Sequence, residues 1–139
     1  MRNPSVSGWS SAVVPRPTVR WLALLALCAA YLQGGLVKLF DFSSAIAEMQ
    51  HFGLSPAAPL AAAVIVLELG ASALILTGRY RGLGALALAL FTFSANLMAN
   101  NFWSQPLAQR GMAMNGFFEH IGLVGGFVYV AWEDLRQKR

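Results

Sequence analysis

Residues 59–78 read PLAAAVIVLELGASALILTG, apolar or small almost throughout and broken by one carboxylate, Glu68. A run of this length matches the roughly 20 residues that an α-helix needs to cross a hydrocarbon core. A segment in lipid must satisfy its backbone groups internally, so the run is helical if it crosses. Pro59 suits a first helical turn, where its missing N–H costs nothing. Working outward from this run, three others of similar length appear: VRWLALLALCAAYLQGGLVKLF over 19–40, GLGALALALFTFSANLMANNFW over 82–103, and AMNGFFEHIGLVGGFVYVAW over 113–132. The expected fold is an all-α integral membrane four-helix bundle.

Composition agrees with lipid as the solvent. Of 139 residues, 57% are hydrophobic and only 12% charged. A soluble domain of this size would be left with large exposed apolar patches. The net charge of +4 comes from basic residues at segment ends. They form no stripe with interleaved aromatics, which argues against nucleic acid. The single cysteine, Cys28, excludes an intrachain disulfide and any CxxC chemistry, and reads as an apolar filler. A cleaved signal peptide in the first run is disfavoured, because the apolar stretch continues past Tyr31 to Phe40.

The basic residues also set an orientation. Arg2, Arg16, Arg20, Arg79, Arg81, Arg136, Lys138 and Arg139 fall on one side of a four-span chain, leaving Lys38 and Arg110 on the other. The positive-inside rule then puts both termini in the cytoplasm. Residues 1–18 read as a flexible cytoplasmic tail, 19–132 as the membrane domain and 133–139 as a basic cytoplasmic tail. Between the first two spans, Phe42, Ile46, Met49 and Phe52 recur at helical spacing, with Gly53 and Pro56 as a stop. This pattern predicts a short amphipathic helix on the outer surface.

Ionisable and amide groups inside spans are expensive and point to a site. They are Lys38, Glu68, Glu119 and His120, joined by the amides Gln33, Asn96 and Asn100, and the candidate cluster is Lys38, Glu68, Asn96, Asn100, Glu119 and His120. At about 1.5 Å of rise per residue all lie in the outer half of the bilayer or near its middle. Helical side chains lean toward their own N-terminus, which tilts Lys38 inward and Glu68 outward toward a shared level. Two readings of Lys38 stay open: pairing with Glu68, or snorkelling to the surface. Asn96, Asn100 and Trp103 share a helical face, as do Asn115, Glu119, Gly122 and Gly126. Gly122 and Gly126 form a GxxxG, which permits close helix approach. Adjacent Glu119 and His120 point about 100° apart, unlike the ligand spacing of bundle metal sites, so no metal is expected.

The ordered set GGLVKLFDF, LELGASALILTG, NNFW and FFEHIGLVGGF resembles the DoxX family of small four-helix bacterial membrane proteins. The resemblance runs from about Val19 to Trp132. It implies a bacterial inner-membrane protein, with Gly34, Gly35 and Lys38 matching the family's glycine–lysine end of the first span and Glu68 its second-span glutamate. Some relatives are subunits of quinone-linked oxidoreductases and others associate with oxidative-stress enzymes. Asn100 stands where many relatives carry histidine, and Glu119–His120 where many carry lysine–asparagine.

Two functional readings follow. One is a quinone-linked redox subunit, with quinone as a non-covalent cofactor and an electron donor supplied by a partner. The other is a non-catalytic accessory subunit whose polar residues fix helix register. In either case the expected partners are the lipid bilayer and a homo-oligomer or larger membrane complex. A small transporter is disfavoured, since four spans leave little room for a pore.

Overall fold

The computed structural model describes residues 16–139, and the expected N-terminal tail lies outside the described residues up to residue 15. Among the described residues every regular element is helical: α1 (Arg16–Phe40), α2 (Phe42–His51), α3 (Ala57–Thr77), α4 (Arg81–Ala99), a 3₁₀ turn (Phe102–Ser104) and α5 (Leu107–Gln137). Three segments are long and apolar enough to cross a membrane: α1, α3, and α4 with its 3₁₀ turn. Val66 is 71% exposed and Leu90 70% exposed on their outer faces, a pattern that suits lipid and not water. The chain is a multi-pass membrane protein.

The helices form a ring in which α1 packs on α3, α3 on α4 and α4 on α5, while α5 touches α1 only lightly. Small residues set the tight seams. A Cβ built at Gly84 would lie 2.7 Å from the Ala71 carbonyl oxygen, and one at Gly35 would lie 2.7 Å from Leu69 Cδ2. Side chains are therefore excluded where α4 and α1 seat on α3. The buried centre includes Leu24, Cys28, Ile75, Leu88 and Phe127. Cys28 is fully enclosed there, as an apolar filler would be.

Two boundaries and one packing face depart from the sequence reading. The third run stops being α-helical at Ala99, so Trp103 does not continue the face of Asn96; it packs in the 3₁₀ turn against Phe102 and Phe117. The segment 133–139 is not a tail, because α5 remains helical through Gln137 and buries Asp134. The connection after α1 does contain a helix, but it begins with Asp41 accepting the Ser44 amide at 3.1 Å and buries Ala45 and Met49 against α3. Phe42 remains exposed.

Asp134 explains why α5 extends so far. Helix α4 starts at a residue with left-handed backbone, Tyr80, and no side chain of its own caps it. The Asp134 carboxylate accepts the Gly82 amide at 2.9 Å and Lys138 Nζ at 2.8 Å, so α5 caps α4 from outside. A carboxylate at a helix start also meets the favourable end of the dipole. The Lys138 hydrogen bond holds the Asp134 carboxyl below its ordinary range; burial opposes this and the Gly82 amide assists it. A depressed folded-state value means that the stabilisation is whole above the ordinary carboxylate range, about pH 4, and is lost as pH falls through the lower folded value. Asp134→Asn is expected to destabilise by about 1–3 kcal/mol at pH 7. In detergent melts, its gap to the parent protein should stay constant from neutral pH down to about 5 and narrow as pH falls below the ordinary carboxylate range.

Candidate functional site

Lys38 and Glu68 meet. Lys38 Nζ donates to both carboxylate oxygens of Glu68, at 3.3 and 3.2 Å. The side chains are 17% and 7% exposed, so the pair is largely withdrawn from the surface. Lys38 lies on the last turn of α1 and Glu68 in the middle of α3. Their opposite helix directions turn the two side chains toward each other. One turn before Lys38, Gly34 lies beside the pair: a Cβ there would sit in ordinary contact, 3.5 Å from Nζ and 3.7 Å from Glu68 Oε2.

The pair borders a cavity of about 380 Å³, whose lining comes from all five helices together with Phe52 and Leu54. It forms where α5 leans on α4 and leaves α1 largely uncovered. Its polar groups are Lys38, Glu68, Tyr31, Thr92, Ser94 and His120, with Glu48 from α2. The rest is apolar, including Met49, Phe91, Met98 and Leu123. Tyr31 and Thr92 bridge α1 to α4 through their buried hydroxyls. The Tyr31 ring meets Phe127 edge-on at 5.3 Å.

His120 projects into this space from α5, and its Nδ1 lies 2.7 Å from the Gly116 carbonyl oxygen. A carbonyl only accepts, so Nδ1 carries the proton and Nε2 of the neutral ring is left as an acceptor. Lys38 divides its donors between the two Glu68 oxygens and keeps one more N–H for a ligand. The cavity can thus offer a cationic donor, hydroxyls and an imidazole acceptor at its edge, beside apolar walls. A small set of polar groups in a mostly apolar pocket is the usual make-up of a site for a small organic ligand.

The other expected site residues are elsewhere. Asn96 donates to the Phe117 carbonyl oxygen at 3.0 Å, and Asn100 donates to Asn96 Oδ1 at 2.9 Å. Together they tie α4 to α5, and a Cβ on Gly116 would come 2.9 Å from Asn100 Oδ1. Neither asparagine lines the cavity. Glu119 is exposed on the outer face of α5 and does not join His120. Gly122 has no neighbour within 4 Å of a built Cβ, whereas at Gly126 that position lies 3.2 Å from Leu27. The GxxxG therefore does not act as one packing seam within the chain.

Sequence reasoning missed Tyr31, Thr92 and Glu48. Tyr31 carried a usable signal: it precedes Gly34 and Lys38 by three and seven residues, on the same face of α1. Thr92 carried none, since one hydroxyl in an apolar run is ordinary in membrane helices.

Comparison with known proteins bears on the same features. The chain is similar to the inner membrane protein YphA of Escherichia coli (strain K12), at 24% identity over 117 residues, which cover 84% of this chain and 83% of that protein. No solved structure matches the chain significantly. The profile of the DoxX family matches residues 21–101, more than half of the chain, and includes Lys38, Glu68, Asn96 and Asn100 but neither Glu119 nor His120. The chain belongs to the DoxX family.

Proposed function

We propose that this protein is a quinone-binding subunit of a redox complex in the bacterial inner membrane. The observation that carries the reading is the cavity edged by Lys38, Glu68, Tyr31 and His120 beneath apolar walls. A quinone headgroup has two carbonyl oxygens that take hydrogen bonds, and its tail needs an apolar cleft. Lys38 supplies the donor. The Nε2 of His120 and the Glu68 carboxylate can hold protons at the cavity edge. A bound quinone would supply two-electron, two-proton redox chemistry, and a partner would supply the electrons, because the sequence has no nucleotide or haem motif.

In this reading α5 is the fourth crossing. Its 31 residues exceed the required length, and its Gly116–Trp132 portion is mainly apolar. Helix α2 lies at the outer surface. Glu119, exposed on α5 between Asn115 and Gly122, is a poor neighbour for lipid, which supports a second protein chain against that helix. The inner-membrane location draws on the name of the similar E. coli protein.

The two sides of the bundle carry unequal charge, which supports cytoplasmic termini. A cysteine added after Arg139 should resist a membrane-impermeant thiol reagent in intact cells, and one at Ser104 should react. The reverse pattern would invert the orientation. The functional reading itself is tested by the quinone content of the protein purified in its native assembly. The alternative, an accessory subunit without a ligand, is favoured by Asn96 and Asn100, whose hydrogen bonds serve helix packing. It expects no quinone there.

A further inference from the structure

We propose that the opposite end of the bundle holds a binding site for the phosphate headgroup of an anionic phospholipid, built from Arg16, Arg20 and Arg81. These three side chains border a second cavity of about 390 Å³ with Pro17, Trp21 and Leu24. Arg16 and Arg20 are four residues apart on α1, hence on one face, and Arg81 opens α4. Arg81 is held in place: its Nε donates to the Ile75 carbonyl oxygen at 2.9 Å, which leaves the terminal nitrogens for another acceptor. Arg20 Nη1 donates to Gln137 Oε1 at 3.3 Å, so α5 also braces the site.

No ion pair among the described residues neutralises this cluster. Among the described residues, no carboxylate oxygen lies within 4 Å of any of the three guanidinium groups. The acids at this end are Glu133 and Asp134. Glu133 accepts Gln137 Nε2 at 2.9 Å and lies 3.9 Å from Arg136 Nε. Asp134 is close enough to Arg81 to feel its charge, but its Oδ2 is taken by Lys138 and the Gly82 amide. Residues 1–15 contain no aspartate or glutamate that could fold back to serve. An external anion completes the site, and several guanidinium groups around one pocket suit phosphate oxygens.

The walls favour a lipid over a free ion. Trp21 is about half exposed beside the arginines, where an indole marks the membrane–water boundary. Leu24 lies one turn deeper along α1, and Leu22 is exposed on its flank. A phosphodiester at the arginines would thus have its acyl chains running along apolar helix. Basic pockets between membrane helices at a bilayer edge take anionic headgroups in this way.

The test uses the full chain in mild detergent, loaded with phosphatidylglycerol or phosphatidylcholine and read by native mass spectrometry. Phosphatidylglycerol should be retained in preference to phosphatidylcholine. In Arg16→Gln/Arg20→Gln, retention should fall about tenfold or more, since each basic residue contributes appreciably to anionic-lipid binding. Both arginines are exposed, and Arg81 with its Ile75 bond is untouched, so helicity by circular dichroism should not change. Arg110→Gln, at the far end of the bundle, should retain lipid like the parent. Equal retention of phosphatidylcholine, or an equal loss in Arg110→Gln, would overturn the site. Displacement of the lipid by millimolar inorganic phosphate would overturn the lipid assignment and leave a free-anion site.

Discussion

Lys38→Met is expected to destabilise the protein by about 3–4 kcal/mol and Glu68→Gln by about 2 kcal/mol, while the double variant loses less than either single variant. The asymmetry follows from exposure. Glu68, with its side chain 7% exposed, is stranded when Lys38 goes. Removing one partner of a buried pair leaves an uncompensated charge, which typically costs about 3–5 kcal/mol. Lys38, at 17% exposed and on the last turn of α1, can swing to the surface when Glu68 goes, so its penalty is smaller. The double variant leaves neither charge buried and forfeits only the net contribution of the pair, which desolvation keeps small. Detergent melts of the four proteins form a double-mutant cycle, and the coupling should exceed about 1 kcal/mol. Additive losses would mean that the two groups act independently in the membrane and that the contact carries no coupling.

That pair also marks the limit of what the sequence could tell. Depth in a helix follows from residue count, and the lean of a side chain follows from helix direction; both were legible for Lys38 and Glu68. Azimuth was not. Glu119 and His120 occupy nearly the same depth, but neighbours on a helix point about 100° apart. Only one of them can face the α1 side, and that depends on how α5 rests on α4. The structure turns His120 to the cavity and Glu119 outward. Asn96 and Asn100 show the same ambiguity. An amide in a membrane helix serves a neighbouring helix or a ligand equally well, and here the Phe117 carbonyl oxygen decides it. The apolar runs located α1, α3 and α4 to within about four residues, whereas α5 (Leu107–Gln137) extends well beyond the 113–132 run at both ends. The cap on α4 was hidden, because Asp134 lies 52 positions from the amide it serves.

The division between His120 and Glu119 sharpens the test of ligand binding. If the cavity holds quinone, His120→Phe should lower the quinone content of the purified native assembly about tenfold, as the loss of a ligand hydrogen bond or proton acceptor typically does. The ring bulk is kept and both nitrogens are removed. Folding should change little, since the Gly116 carbonyl that His120 contacts belongs to the preceding turn of its own helix. Glu119→Gln should leave quinone content unchanged, because that side chain is outside the cavity. Ala95→Phe supplies an independent arm: Ala95 lines the cavity, and a ring there should expel a ligand while leaving Lys38, Glu68 and His120 in place. Each variant is read twice, by extracted quinone and by melting temperature. Loss of quinone in Glu119→Gln to the same degree as in His120→Phe would move the ligand to the outer face of α5. Unchanged quinone in Ala95→Phe would remove it from the cavity. A parent assembly that carries no quinone would leave the Lys38–Glu68 pair as a device for holding α1 and α3 in register, because that contact joins the two helices without any ligand.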